Sequence, residues 1–213
     1  VSLLFFERES APVDCKKIMP FPWFHVLFLT FVCIICAKTT YDRTAVWKNE
    51  YTLWKDTVQC STASPRAQTN FGRALLGRGE IDSAILHLEK ANELDDQNYE
   101  THIALGTAYH KAGRQFEAIR EFSIASRIKP EAKYTFYNLG LVYSEIGNYS
   151  KAKNNLIVAL KLDPSYIEAK YTLANIMIKQ GDLTGAEKLF LEVLHSKPDL
   201  PHARGSLALV YIE

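Results

Sequence analysis

Two hydrophobic patterns divide the chain near residue 64. From Ile18 to Ala37 the sequence reads IMPFPWFHVLFLTFVCIICA, with no charged residue and no polar stripe. Apolar character on every side does not suit a surface helix of a globular domain. From Pro65 onward the pattern changes, and small and apolar positions recur every 34 residues without a gap. The blocks are 65–98, 99–132, 133–166 and 167–200, followed by a partial block 201–213.

The repeated places have a mechanical reading. The eighth holds Gly72, Gly106, Gly140, Ala174 and Ala208, and the twentieth Ala84, Ala118, Ala152 and Ala186. Small residues there let two antiparallel helices approach closely. Large residues fill the space beside them: Leu88, Phe122, Leu156 and Phe190 at the twenty-fourth place, with Leu75, Tyr109, Tyr143 and Met177 at the eleventh. Gly79, Gly113, Gly147 and Gly181 supply the turn within each block. Pro130, Pro164 and Pro198 end the second helix, and Asp96 stands at the equivalent place of the first block. Each block therefore predicts an αα-hairpin, and successive hairpins stack into a solenoid.

These blocks resemble tetratricopeptide repeats, over about 70% of the chain. The resemblance implies an all-α, right-handed superhelical solenoid. It departs from the family pattern at the fourth place, where Gln68, His102, Phe136, Lys170 and Arg204 stand instead of a tryptophan-type residue. In this family the first helix of each repeat lines a concave groove. The positions so implied as a partner-binding surface are Asn70, Arg73, Thr107, His110, Tyr134, Tyr137, Asn138, Tyr171 and Asn175, with Arg66, Thr69, Ile103, Leu141 and Ile178 beside them. Tyrosines are stiff amphipathic contacts, and an asparagine amide offers both donor and acceptor to a peptide backbone. The same side chains also suit packing between repeats or simple solvation. A clamp for a terminal carboxylate is not supported, because Ala104 occupies the place of its second asparagine.

The apolar run predicts a transmembrane helix over 18–38, since about 20 helical residues span roughly 30 Å, the thickness of a hydrocarbon core. A cleaved signal peptide fits less well: the run is longer than the usual ~7–15 residues and no A-x-A site follows. A buried helix of a soluble domain is the third reading. Orientation is undetermined, because Arg8, Lys16 and Lys17 on one side face Lys38, Arg43, Lys48 and Lys55 on the other. Cys33 and Cys36 form a C-x-x-C inside the run without further ligands nearby, and read as small apolar lining. If the helix spans, Cys15 and Cys60 lie on opposite sides and cannot pair. Residues 1–17 form a flank, and 39–64 a juxtamembrane segment. Within it, 44–60 predicts an amphipathic helix with Trp47, Tyr51, Trp54 and Val58 on one face. One period back from Leu88 lands on Trp54, so this helix is expected to cap the solenoid, with an interfacial helix as the alternative.

Composition narrows the function classes. The 213 residues are 47% hydrophobic and 23% charged, too apolar for a disordered chain. Lys and Arg number 25 against 24 Asp and Glu, so no basic excess points to nucleic acid. No H-E-x-x-H, G-x-S-x-G or phosphate loop is present. The histidines lack metal-ligand spacing, and neither metal nor cofactor is expected.

A second resemblance rests on the apolar span followed by VWKNEYTLWKDTVQCSTASPRAQTNFG, residues 46–72. This order is similar to the C-terminal part of polytopic membrane proteins of the O-mannosyltransferase-like family, which carry tetratricopeptide tails. The resemblance implies repeats in the periplasm or lumen. The family's catalytic acidic loops lie in segments absent here, so no catalytic residue carries over. Two functions follow as expectations. One is a membrane-anchored scaffold that binds a protein or peptide in its groove; the other is the non-catalytic tail of a multi-span glycosyltransferase. Beginning at Val1 and stopping inside a fifth block, the chain reads as an excerpt whose last helix frays or is followed by more chain.

Overall fold

The computed structural model describes the backbone of residues 23–212, and among these every regular element is helical. The expected flank 1–17, with Cys15, and the first part of the expected span, 18–22, lie outside the described residues, as do the side chains of Trp23, His25 and Arg43. The chain divides into two compact units, 1–48 and 49–213.

In the first unit, α1 runs Trp23–Val46. Leu27, Phe28, Leu29, Phe31 and Ile34 are all exposed on it. Among the described residues no helix is long and apolar enough to cross a membrane. The expected span over 18–38 is therefore not shown, and its residues 18–22 lie outside the described residues. The helix continues past Lys38 into the polar stretch KTTYDRT, and the described portion of its apolar part is Trp23–Ala37. Cys33 and Cys36 on α1, and Cys60 at the end of the next helix, are free thiols.

The second unit opens with α2, Glu50–Cys60, whose first turn is capped by Asn49: its Oδ1 accepts from the Thr52 amide at 2.9 Å. This differs from the expected helix over 44–60. Trp47 precedes the cap and is 71% exposed, so it is not on the buried face. Tyr51 and Trp54 pack on the core and Val58 is buried in it. The hairpins follow in order: α3 Pro65–Gly77 with α4 Ile81–Leu94, α5 Tyr99–Lys111 with α6 Gln115–Ile128, α7 Lys133–Glu145 with α8 Tyr149–Leu162, and α9 Ile167–Lys179 with α10 Leu183–Ser196. A single helix, α11 Pro201–Ile212, stands last among the described residues.

Local chemistry sets these boundaries. Ser64 and Asn98 cap α3 and α5 by accepting from the amides of Ala67 and Thr101, and Pro65 fits the first turn, where no intrahelical donor is needed. The turn glycines all have positive φ, from 76° to 79°. That conformation lets the amide after each glycine reach back to the carbonyl five residues earlier: Glu80 to Leu75, Arg114 to Tyr109, Asn148 to Tyr143 and Asp182 to Met177, at 2.8–3.0 Å. Gly113→Val is therefore expected to cost about 1–2 kcal/mol through backbone strain alone. Urea unfolding checks this, and an unchanged midpoint would show that the turn tolerates another conformation.

Both helices of each hairpin build the core, and the second helices supply its most regular part. Ala84, Ala118, Ala152 and Ala186 are fully buried, and so, or nearly so, are Leu88, Phe122, Leu156 and Phe190. In the first three blocks the eighth place leaves no room for more than hydrogen. A β-carbon on Gly106 would lie 2.5 Å from Phe122 Cε1, and one on Gly72 2.5 Å from Leu88 Cγ. Each hairpin thus closes on a knob from its second helix, and each first helix also packs on the second helix before it.

Candidate functional site

The first helices α3, α5, α7 and α9 carry every expected groove residue. Asn70, Asn138 and Asn175 are half-buried there, and among the described residues no hydrogen bond engages their side chains. Two hollows open along the same helices, and Asn175 borders one of them. One, of about 260 Å³ between α3 and α5, is lined by Arg73, Leu76, Glu100, Ile103, Ala104 and Thr107. The other, of about 360 Å³ between α7 and α9, includes Leu141, Tyr171, Asn175 and Lys179. A larger hollow of about 670 Å³ lies elsewhere, along α10 with Lys170. Its size reflects a shallow, open surface lined mainly by side chains of one helix, and none of the expected groove residues borders it.

Other expected contacts are already engaged. The Arg73 guanidinium lies 3.7 Å from the Glu100 carboxylate, both largely exposed, so the pair restrains little. The Thr107 hydroxyl donates to the Ile103 carbonyl at 2.8 Å, and His110 Nε2 is 2.8 Å from Glu145 Oε2. Tyr137 packs with its ring tilted against Tyr166 of the same block, centroids 5.1 Å apart, and Tyr166 also meets Tyr134 edge-on at 5.6 Å. The Lys133 ammonium sits over both Tyr134 and Tyr166 while pairing with Asp163. That pairing holds the Asp163 carboxyl down at about 2. Burial pushes the Tyr166 hydroxyl pKa up, with nearby Tyr137 and Glu168 adding to the shift. Tyr171 packs on Phe190 with ring centroids 5.8 Å apart. Tyr137 and Tyr171 thus spend much of their surface on packing, while 58% of Tyr134 remains exposed.

Thr69 is a correction. It is buried, donates to the Pro65 carbonyl and meets the Thr101 hydroxyl at 2.8 Å, so it belongs to the seam between repeats rather than to an open surface. Ile178 likewise packs on the core.

The fourth place holds a network that the sequence pattern alone did not reveal. Gln68 is fully buried: its Nε2 donates to the Thr62 carbonyl, and its Oε1 accepts from His87 Nδ1 at 2.8 Å. His102 is 2% exposed, with Nδ1 2.8 Å from Glu121 Oε2 and Nε2 2.9 Å from the Asp96 carbonyl. Both ring nitrogens face acceptors, and only the imidazolium donates from both. Burial opposes that charge, but the bonds to Glu121 and Asp96 outweigh it and raise the His102 pKa. Burial also works against the Glu121 carboxylate, yet His102 and Arg120 hold its pKa low. Arg204 repeats the theme by donating to the Pro198 carbonyl at 2.6 Å. In three blocks the fourth side chain thus satisfies a carbonyl of the turn six residues earlier. The signal was present as three polar residues at one repeat place, spaced from turn residues by a constant interval.

Comparisons with known proteins agree with this geometry. Profiles of the tetratricopeptide repeat match residues 69–133 and 145–210. Among curated proteins, the chain is similar to Protein O-mannosyl-transferase Tmtc3 of Drosophila melanogaster, 26% identical over 105 residues, which is 49% of this chain and 11% of that protein. Human Protein O-mannosyl-transferase TMTC3 is 22% identical over 103 residues, 48% of this chain and 11% of its own length. The matched stretch thus spans about a tenth of the length of these relatives. Among solved structures, YrrB, described as a tetratricopeptide protein with an unusual peptide-binding site, shares 23% identity and a TM-score of 0.65, over 75% of this chain and 82% of its own. The thermophilic tetratricopeptide protein TTC0263 of Thermus thermophilus shares 21% identity and a TM-score of 0.61, over 87% and 97%. MamA of Desulfovibrio magneticus shares 20% and 0.64, over 70% and 84%. At these identities the structures speak for the fold alone. Hairpin geometry and repeat profiles together identify the chain as a tetratricopeptide-repeat protein over residues 69–133 and 145–210.

Proposed function

We propose that the chain is a membrane-anchored scaffold whose first-helix face binds an extended segment of a protein partner. The observation that carries this reading is the set of amides left free on that face. Asn70, Asn138 and Asn175 are half-buried without partners among the described residues, and Asn175 borders a hollow with Tyr171. A partly desolvated amide is best satisfied by a ligand backbone, which presents a donor and an acceptor at every residue. Asn138→Ala combined with Asn175→Ala is expected to weaken capture of peptides selected from a random displayed library by at least about tenfold, with helical circular dichroism unchanged. Equal capture by the double variant would exclude this face.

Membrane attachment belongs to the same proposal. It is supported by the exposed apolar side chains of α1, which water solvates poorly. The chain is expected to float with phospholipid vesicles, and Leu27→Asp with Ile34→Asp to leave it in the dense fractions. The array then projects into the periplasm or lumen, a placement supported by the resemblance to O-mannosyltransferase-like proteins.

A second reading is favoured by the match to Protein O-mannosyl-transferases. In it the array is the non-catalytic tail of a multi-span glycosyltransferase, and the first-helix face recruits the protein acceptor rather than performing transfer. Transcript sequence upstream of the codon for Val1 separates the two: several further apolar spans in frame favour the second, and an in-frame stop the first.

A further inference from the structure

One short motif in the array is not explained by the repeat. Asn148, Tyr149 and Ser150 form an N-x-S triplet, the sole N-x-S/T among the nine asparagines of the chain. Such a triplet is an acceptor of asparagine-linked sugar when it lies on the surface of a chain exposed to the secretory lumen. The free amides of the first-helix face do not qualify. Two residues after Asn70, Asn138 and Asn175 stand Gly72, Gly140 and Met177, none of which carries a hydroxyl.

The fold places this triplet on a water-facing turn. Asn148 follows Gly147, whose φ of 79° reverses the chain between α7 and α8. The same place in the other hairpins holds Glu80, Arg114 and Asp182, and none of the four side chains is buried. Gly147 and Ser150 are exposed, and so is Ile146 beside them. Asn148 caps α8 with its oxygen alone: Oδ1 accepts from the Lys151 amide at 3.2 Å. Among the described residues nothing bonds Asn148 Nδ2 or the Ser150 hydroxyl. This division of labour suits the modification, because the sugar attaches to nitrogen and leaves the carbonyl oxygen as an acceptor. The helix cap and the modified side chain therefore coexist.

We infer that Asn148 carries an asparagine-linked oligosaccharide at the turn between α7 and α8. The inference rests on the lumenal placement proposed above, but not on peptide binding by the first-helix face. The donor is an oligosaccharide joined to a lipid pyrophosphate, and the transfer is redox-neutral. A bond forms between Asn148 Nδ2 and the anomeric carbon of the first sugar, while the bond from that carbon to the pyrophosphate oxygen breaks. The lipid pyrophosphate leaves with the bonding pair. Nδ2 gives up one of its two protons to a base of the transferring enzyme and keeps the other.

The test is expression of the full chain in cultured animal cells, with gel mobility read before and after treatment with peptide N-glycosidase. A single glycosidase-sensitive step is expected. Asn148→Gln and Ser150→Ala are each expected to abolish it, and Ser150→Thr to keep it. Ser150→Ala leaves the Asn148 cap intact at an exposed position, so loss of the step there does not report misfolding. A second acceptor triplet, made in the preceding hairpin by Arg114→Asn with Phe116→Ser at two exposed positions, reports the compartment independently. A step from the added triplet with none from Asn148 would overturn the inference and leave the lumenal placement standing. No step from either would overturn both.

Discussion

Phe122→Ala is expected to lower the unfolding free energy of the array by about 3–5 kcal/mol. The side chain is 1% exposed and fills the notch above Gly106, so truncation removes contacts from both helices of the hairpin and leaves a cavity that glycine cannot fill. Repeat arrays gain stability from neighbour interfaces, so damage in one hairpin also uncouples those on either side. The urea transition is therefore expected to broaden or split as well as shift. Phe116 on the same helix is the control: it is 80% exposed. Its replacement by alanine is expected to change stability by no more than about 0.5 kcal/mol. Equal effects of the two substitutions would contradict the packing described for α5 and α6.

The second large effect concerns the buried pair of His102 and Glu121. His102→Ala is expected to cost about 3 kcal/mol near pH 6. It leaves a buried carboxylate with only Arg120 as its cation and orphans the Asp96 carbonyl. His102→Gln is expected to recover part of the loss, since glutamine at this place already bonds a turn carbonyl in the preceding block. The pH dependence has a definite sign. The His102 pKa is raised, so its contribution is fully present below the ordinary value of 6.5 and is lost as pH rises through the raised value. The Glu121 pKa is lowered, so its contribution is present above the ordinary 4.5 and is lost as pH falls through the lowered value. The stability difference between the parent chain and His102→Gln is thus largest between 4.5 and 6.5, and it narrows in alkaline solution. Urea midpoints across that range check this, and a difference that grows with pH would mean that His102 is buried neutral.

Hairpin boundaries were legible because the 34-residue period is carried by residues with a single physical use. A glycine at positive φ, an alanine under a knob and a proline after a helix each tolerate few substitutes, so their recurrence marks the backbone directly. Polar positions are less legible, because the same residue type serves several ends. Thr69 and Asn70 are neighbours on α3, yet one is buried against Thr101 and the other is half-exposed and free. One residue is about 100° of helix rotation, enough to move a side chain from seam to surface. His102 stands out in the sequence only as a departure at the fourth place, because its partners lie six residues back and nineteen ahead. Trp47 was placed on the face of α2 by spacing alone, but Asn49 captures the Thr52 amide and starts the helix after it. At α1 the apolar run was plain, whereas continuation of the helix through Lys38 to Val46 was not, since polar residues continue a helix as readily as apolar ones.

The proposed function depends on the first-helix face being where a partner lies. Hydrogen–deuterium exchange of the full chain, with and without a peptide selected from a displayed library, maps that footprint directly. The proposal predicts slowed exchange on α3, α5, α7 and α9 around Asn70, Asn138 and Asn175, with α4, α6 and α8 unchanged. Protection confined to the second helices, or to α1, would contradict it.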